Sequence, residues 1–153
     1  MILRLIHPGS PTRGPLEAAA ADYRARLAHY HRVEERFLKA SKHADTALAL
    51  AEEAVLIAGS VRDRDRLIAL DAQATSLSSE QLAKRLAAWM QGGYGAVIFA
   101  LGSARGLDPS VCARADERLA FGPMTLPHDL ARVVLWEQLY RAATILRGEP
   151  YHK

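Results

Sequence analysis

An α/β protein, built as three layers with helices on both faces of a mostly parallel sheet, is what three features of this sequence predict. Strand-like and helix-like segments alternate from one end to the other. The connections between them are short and rich in Gly, Pro, Ser and Asp. The most apolar segment, Ala96-Val97-Ile98-Phe99-Ala100-Leu101, is an unbroken run rather than an alternation, the pattern of a strand buried on both faces of a parallel sheet.

Residues 2–6 read as a first strand, ended by His7-Pro8-Gly9, with a loop to Pro15. The alanine-rich run 16–29, with Tyr23 and Leu27 four apart, suits a helix. Residues 33–38 form a second strand, followed by a polar loop over 39–43. Asp45 is placed to cap a helix over 46–58 that Gly59 stops. Residues 66–70 are a buried-type strand closed by Asp71. Ser78 and Gln81, three apart, make a capping box for a helix reaching Gln91, which Gly92-Gly93-Tyr94-Gly95 ends. After the apolar strand over 96–101, Asp108-Pro109 pairs an N-cap with proline at the first helical position, and a short helix is expected to Glu117. Met124-Thr125-Leu126 reads as a short strand, and a long helix is expected over 130–146.

At 153 residues the chain has the size of one domain, 1–153, with a substantial core. Half the residues are apolar and a quarter charged, which excludes a disordered or fibrous chain. The first apolar run is too short for a signal segment, and no window approaches the ~20 apolar residues of a membrane span. A lone cysteine, Cys112, forbids an intrachain disulfide and fits a reducing cytosol; in its helical context it is expected as a small buried residue. The net charge of +3 is uneven: residues 1–44 hold eight Lys and Arg against four acids. That segment is either a solvated face or a surface that follows phosphates. Neither a triad spacing, nor H-E-x-x-H, nor a Cys/His cluster is present, so triad and metallohydrolase chemistry are disfavoured and no metal is expected.

The last third concentrates the candidate chemistry. Gly102-x-x-x-Gly106 follows the most apolar strand and precedes a helix, where nucleotide-type ligands sit in open α/β sheets, although a plain strand-to-helix turn has the same pattern. Phe121-Gly122-Pro123-Met124-Thr125-Leu126-Pro127-His128 is a rigid loop whose backbone groups a ligand can satisfy. The 130–146 helix is apolar over most of its circumference and needs cover on several sides, either within the chain or from a second subunit facing Trp136 and Tyr140. His128 and His152 are the candidate proton acceptors near neutral pH.

Three separated stretches carry a family resemblance: Met124-Thr125-Leu126-Pro127-His128, the helix segment from Arg132 to Ala142, and the ending Arg147-Gly148-Glu149-Pro150-Tyr151-His152-Lys153. They closely resemble the ribosomal RNA large subunit methyltransferase H family, small SPOUT-class enzymes that methylate N3 of a pseudouridine in 23S rRNA. The likeness runs over essentially the whole chain. It implies an α/β fold with a C-terminal trefoil knot, a cytoplasmic homodimer, and S-adenosyl-L-methionine as methyl donor beside the subunit interface. It implies cofactor contacts at Leu70, Gly102, Phe121, Gly122, Pro123, Met124, Thr125 and Leu126. For catalysis it points to His152 as proton acceptor or base-orienter, Tyr151 as its stacking or hydrogen-bonding partner, and Arg141 as a hold on RNA or developing anion. The implied partner is 23S rRNA in the large subunit or whole ribosome. A noncatalytic ribosome-binding protein of the same fold, or a methyltransferase on another RNA, are the rival readings. Where the family pattern carries a second glycine this chain has Ser103, whose side chain narrows the approach to the loop.

Overall fold

The computed structural model describes residues 1–153. Strands β1 (Ile2–Pro8), β2 (Arg32–Leu38), β3 (Arg66–Leu70), β4 (Ala96–Ala100) and β5 (Glu117–Leu119) form one sheet in the order β2-β1-β4-β3-β5. Every neighbouring pair is parallel. Helices α1 (Pro15–Leu27), α3 (Ser79–Gln91) and α5 (His128–Arg147) cover one face, with α5 packed against both others. Helices α2 (Thr46–Gly59) and α4 (Pro109–Arg114) cover the opposite face.

The strand sequences explain this layering. Along a strand, successive side chains point to opposite faces. In β4, Val97 and Phe99 enter the core under α1, α3 and α5, while Ala96, Ile98 and Ala100 enter the one under α2 and α4. An alternating polar pattern would leave one of these cores unfilled. The edge strand β2 carries charges instead, including Glu34 and Glu35.

The helix starts follow their caps. Asp45 Oδ1 accepts from the Leu48 amide at 2.9 Å, and Ser78 and Gln81 close a reciprocal capping box. Asp108 caps α4 with Pro109 in its first turn, and Gly148 ends α5 at φ 67°. No helix is long and apolar enough to cross a membrane.

Three expectations need correction. Met124-Thr125-Leu126 is not a strand; it is an exposed loop, and Met124 is 82 % accessible. The fifth strand is β5, which begins at Glu117, where the short helix was expected to end. Helix α4 stops at Arg114 because Asp116 bonds the Leu67 backbone twice, its amide to the Leu67 carbonyl at 2.9 Å and its carboxylate to the Leu67 amide at 2.7 Å. Those bonds draw Glu117-Arg118-Leu119 alongside β3. Of the two covers left open for α5, the chain itself supplies the one at Trp136, which is fully buried, while Tyr140 is half-buried and packs with Tyr23, Tyr30 and Tyr151. Cys112 is half-buried rather than sealed in the core.

Candidate active site

The three loops that leave β3, β4 and β5 at their carboxyl ends enclose a cleft of about 730 Å³. In a parallel sheet this edge is where ligands bind, because each strand ends there and its loop is free to vary. The walls come from Leu70-Asp71-Ala72, from the 101–107 loop apart from Arg105, and from the 119–128 loop apart from Pro123, with Ala131 of α5 behind. Of the eight residues expected to contact a cofactor, seven line this cleft; Pro123 does not.

The geometry of the two long loops differs from a plain turn. A Cβ on Gly102 would lie 2.3 Å from the Gly106 carbonyl carbon and 2.7 Å from the Leu107 amide nitrogen, so the loop folds back onto this position at backbone contact distance. The Gly106 amide donates to the Ser103 carbonyl at 2.8 Å and closes that fold. Ser103 turns its hydroxyl toward the Arg105 amide at 3.4 Å, and Arg105 reaches the His43 carbonyl at 2.8 Å. Gly122, at φ 134°, occupies a conformation that L side chains rarely adopt. The amides of Gly102, Gly122, Met124 and Leu126 make no hydrogen bond within the protein, whereas Ser103 pairs with Gly106 as an antiparallel bridge.

These features fit S-adenosylmethionine. The volume lies within the ~300–1,000 Å³ of small-molecule sites, the wall is mainly apolar, and four residues on it, Gly102, Gly122, Met124 and Leu126, have backbone amides without a partner in the protein. The titratable groups on the wall are Asp71, Cys112 and His128. Burial, and then the charge of Asp71, push the Cys112 thiol above its ordinary value, which keeps it protonated and a weak nucleophile. Asp71, Leu107 and Ala131 were not among the residues nominated for ligand contact; their position just past a strand end or just inside the next helix is the signal that marks them, whereas His128 stands at the end of the loop already read as a ligand loop.

Arg141, Tyr151 and His152 are brought together, but away from the cleft wall. Arg141 donates from Nε to Glu137 Oε1 at 3.0 Å, and the Tyr151 hydroxyl donates to the same oxygen at 3.0 Å. The Arg141 guanidinium stacks over the Tyr151 ring at 4.7 Å. His152 Nδ1 faces Arg141 Nη1 at 3.3 Å, and its Nε2 faces Glu80 Oε1 at 2.9 Å. Burial, and then hydrogen bonds with Tyr23 and Glu137, raise the Tyr151 pKa, so the phenol stays protonated. Arg141 lies thirteen residues beyond His128, about 20 Å along α5.

A second polar cluster adjoins the cleft. Glu35, His7 and Arg132 have side chains only 1–2 % exposed. Arg132 donates to both Glu35 oxygens and to Glu17, and Arg24 also donates to Glu35. Burial pushes the Glu35 pKa up, but the hydrogen bonds from Arg132 and His7 and the two arginine charges outweigh it and hold it down at about 2. Burial lowers the His128 pKa, only partly offset by Asp129. Of the eight Lys and Arg in the first third, Arg4, Arg24, Arg26, Arg32 and Arg36 are ion-paired, while Arg13, Lys39 and Lys42 are exposed.

Comparison with known proteins bears on this arrangement. The profile of the family described as "Predicted SPOUT methyltransferase" matches residues 1–152. The protein named Ribosomal RNA large subunit methyltransferase H in Anaeromyxobacter sp. strain K is 44 % identical over 154 residues, covering 100 % of both chains. The protein of the same name in Solidesulfovibrio magneticus is 43 % identical over 150 residues, covering 98 % of this chain and 97 % of its own. Among solved structures, a probable methylase family protein from Haemophilus influenzae Rd KW20 superimposes with a TM-score of 0.57 at 14 % identity, over 99 % of this chain and 70 % of that one.

Proposed function

The chain belongs to the SPOUT methyltransferase family, and from that premise we propose that it transfers a methyl group from S-adenosyl-L-methionine to N3 of a pseudouridine in 23S rRNA. The observation that carries the reading is the cleft itself: two glycine-bearing loops, leaving β4 and β5 on either side of β3, line one largely apolar space, and several of their backbone amides have no partner within the protein. Leu70, Gly102, Phe121, Gly122, Met124, Thr125 and Leu126 would hold the donor, with Pro123 setting the backbone of the loop between them. The bound donor supplies an electrophilic methyl on a sulfonium.

The chain acts as one domain over 1–153, and as a cytoplasmic homodimer with the C-terminal knot of its family. The homodimer accounts for the distance between tail and cleft: the Tyr151-His152 tail of one protomer serves the cleft of its partner. There Arg141 holds RNA or stabilises developing charge, while Tyr151 and His152 orient the base. Transfer from a sulfonium needs an aligned nucleophile above all, so this positioning provides most of the rate.

The test is direct. The purified protein is expected to bind S-adenosylmethionine in a calorimeter and to restore a methyl group, read by mass spectrometry, to 23S rRNA of ribosomes from a strain lacking this gene. Binding of ribosomes without binding of the donor would mean a noncatalytic relative; methylation of a different RNA would move the substrate.

A further inference from the structure

Four side chains form a line from the protein interior to the cleft. Glu35 Oε1 lies 3.1 Å from His7 Nε2, His7 Nδ1 lies 3.1 Å from His128 Nε2, and His128 Nδ1 lies 3.3 Å from Asp129 Oδ1. Carboxylates only accept, so both outer contacts need an N–H on the ring; the contact between the rings needs one proton, on either side. The line is therefore completely hydrogen-bonded with three ring protons, whereas two neutral imidazoles bring two. The arrangement has a place for one extra proton, shared between His7 and His128 and flanked by a carboxylate at each end. Arg132 from α5 and Arg24 from α1 keep Glu35 ionised, and Glu17 from α1 balances Arg132. Thr12 donates to the far oxygen of Asp129 at 3.4 Å, and the Phe37 ring of β2 packs on His7 at 4.3 Å.

We propose that the His7–His128 pair, reached from the cleft through His128, accepts the proton that the substrate nitrogen gives up on methylation, with Glu35 and Asp129 as positioning residues. The inference rests on the function proposed above, since an imide N–H must lose its proton to become a nucleophile. The N–H bond breaks, its proton enters the line at the 3.3 Å contact between Asp129 Oδ1 and His128 Nδ1, the contact that can stand without a proton when both rings are neutral, and the electron pair stays on nitrogen to form the new bond to carbon. The extra proton later leaves to water past Asp129, whose side chain is 40 % exposed. One observation favours this pair over the tail histidine. His152 Nδ1 faces a guanidinium that only donates, so a proton there would point at another N–H.

The experiment follows kcat against pH for the full chain with S-adenosylmethionine and ribosomes, beside a titration by imidazole-nitrogen NMR on labelled histidine that needs no substrate. The parent's kcat is expected to rise with pH through a step in which both rings titrate together, as coupled sites do. His128→Gln is expected to lose about 100-fold in kcat with a flattened pH profile. His7→Gln, which carries the test if the first variant does not fold, is expected to shift the midpoint of the profile and leave His128 titrating alone. A His128→Gln kcat within about threefold of the parent, or rings that titrate independently in the parent, overturns the proposal. A folded parent that binds the donor but methylates no rRNA overturns the function and the pair's part in it. That outcome is distinct from failure of the pair alone, in which the parent is active.

Discussion

Glu35 and Arg132, 97 residues apart in sequence, meet as a fork in which the guanidinium donates to both carboxylate oxygens, and both side chains are only 2 % exposed. Removing one partner of such a pair leaves an uncompensated buried charge. Glu35→Gln is therefore expected to destabilise the fold by about 3–5 kcal/mol, read as a fall in the midpoint of urea unfolding. A loss below about 1 kcal/mol would mean that Glu17 alone satisfies Arg132.

The same pair sets a pH dependence. The folded-state pKa of Glu35 is depressed to about 2 from the ordinary 4.5, so its stabilisation is present above pH 4.5 and is lost as pH falls towards 2. The shift corresponds to at most about 3 kcal/mol. Thermal unfolding followed from pH 6 downward should show this loss in the parent and a shallower one in Glu35→Gln. Parallel slopes for the two proteins would assign the acid sensitivity to other carboxylates.

At the cleft, the requirement for glycine falls on Gly102 rather than on its neighbour. A Cβ at Gly102 meets Gly106 backbone at 2.3 Å, which no side-chain rotation relieves. Gly102→Ala is expected to displace the loop and weaken donor binding at least about tenfold, whereas Ser103→Gly should change affinity by less than about threefold, because the Ser103 hydroxyl already turns back on Arg105. Calorimetry on both variants decides it; equal effects would show that Ser103 intrudes on the ligand.

How far the sequence reveals this architecture depends on where each signal resides. Caps at Asp45, Ser78 and Asp108 are local chemistry, and the helices they start are legible from a few residues. The same holds for β4, whose unbroken apolar run reports burial on both faces. Strand β5 is different. Glu117-Arg118-Leu119 contains no β-branched or aromatic residue and becomes a strand through distant bonds: Asp116 to Leu67, and Glu117 to Arg66 and the Trp89 indole. The Glu35–His7–His128 line was equally hidden, because it joins β1, β2 and α5 and has no sequence spacing of its own. Gly102 and the 121–128 loop with His128 stood out through turn chemistry and family likeness together, whereas Asp71 joins the cleft only once the strand ends are aligned.

Trp136 poses a separate question of stability. Its side chain is fully buried and its indole N–H has no hydrogen-bond partner. An orphaned buried donor costs about 1–3 kcal/mol, and phenylalanine removes it along with part of the ring volume. The two effects oppose each other, so Trp136→Phe is expected to change stability by no more than about 1 kcal/mol, against the ~3–5 kcal/mol typical of truncating a buried tryptophan to alanine. Urea unfolding of both variants checks the contrast. A Phe variant as unstable as the Ala variant would show that packing against the second indole ring dominates.

Glu137 organises the tail. Its carboxylate accepts from Arg141, from the Tyr151 hydroxyl and from Gln138, and Arg141 in turn stacks on Tyr151 and faces His152. Glu137→Ala removes the one acceptor common to Arg141 and Tyr151, while the backbone bond of Glu149 to Thr144 still ends the helix. The tail is then expected to lose its order without unfolding α5, seen as lowered backbone order parameters over residues 149–153. If the tail orients the base across a dimer, methyl transfer falls by about 100-fold with donor affinity unchanged, because misplacing a reacting group by about 1 Å costs that much. A disordered tail with full activity would remove Tyr151 and His152 from the reaction; an ordered tail would show that Glu80, through His152, suffices to hold it.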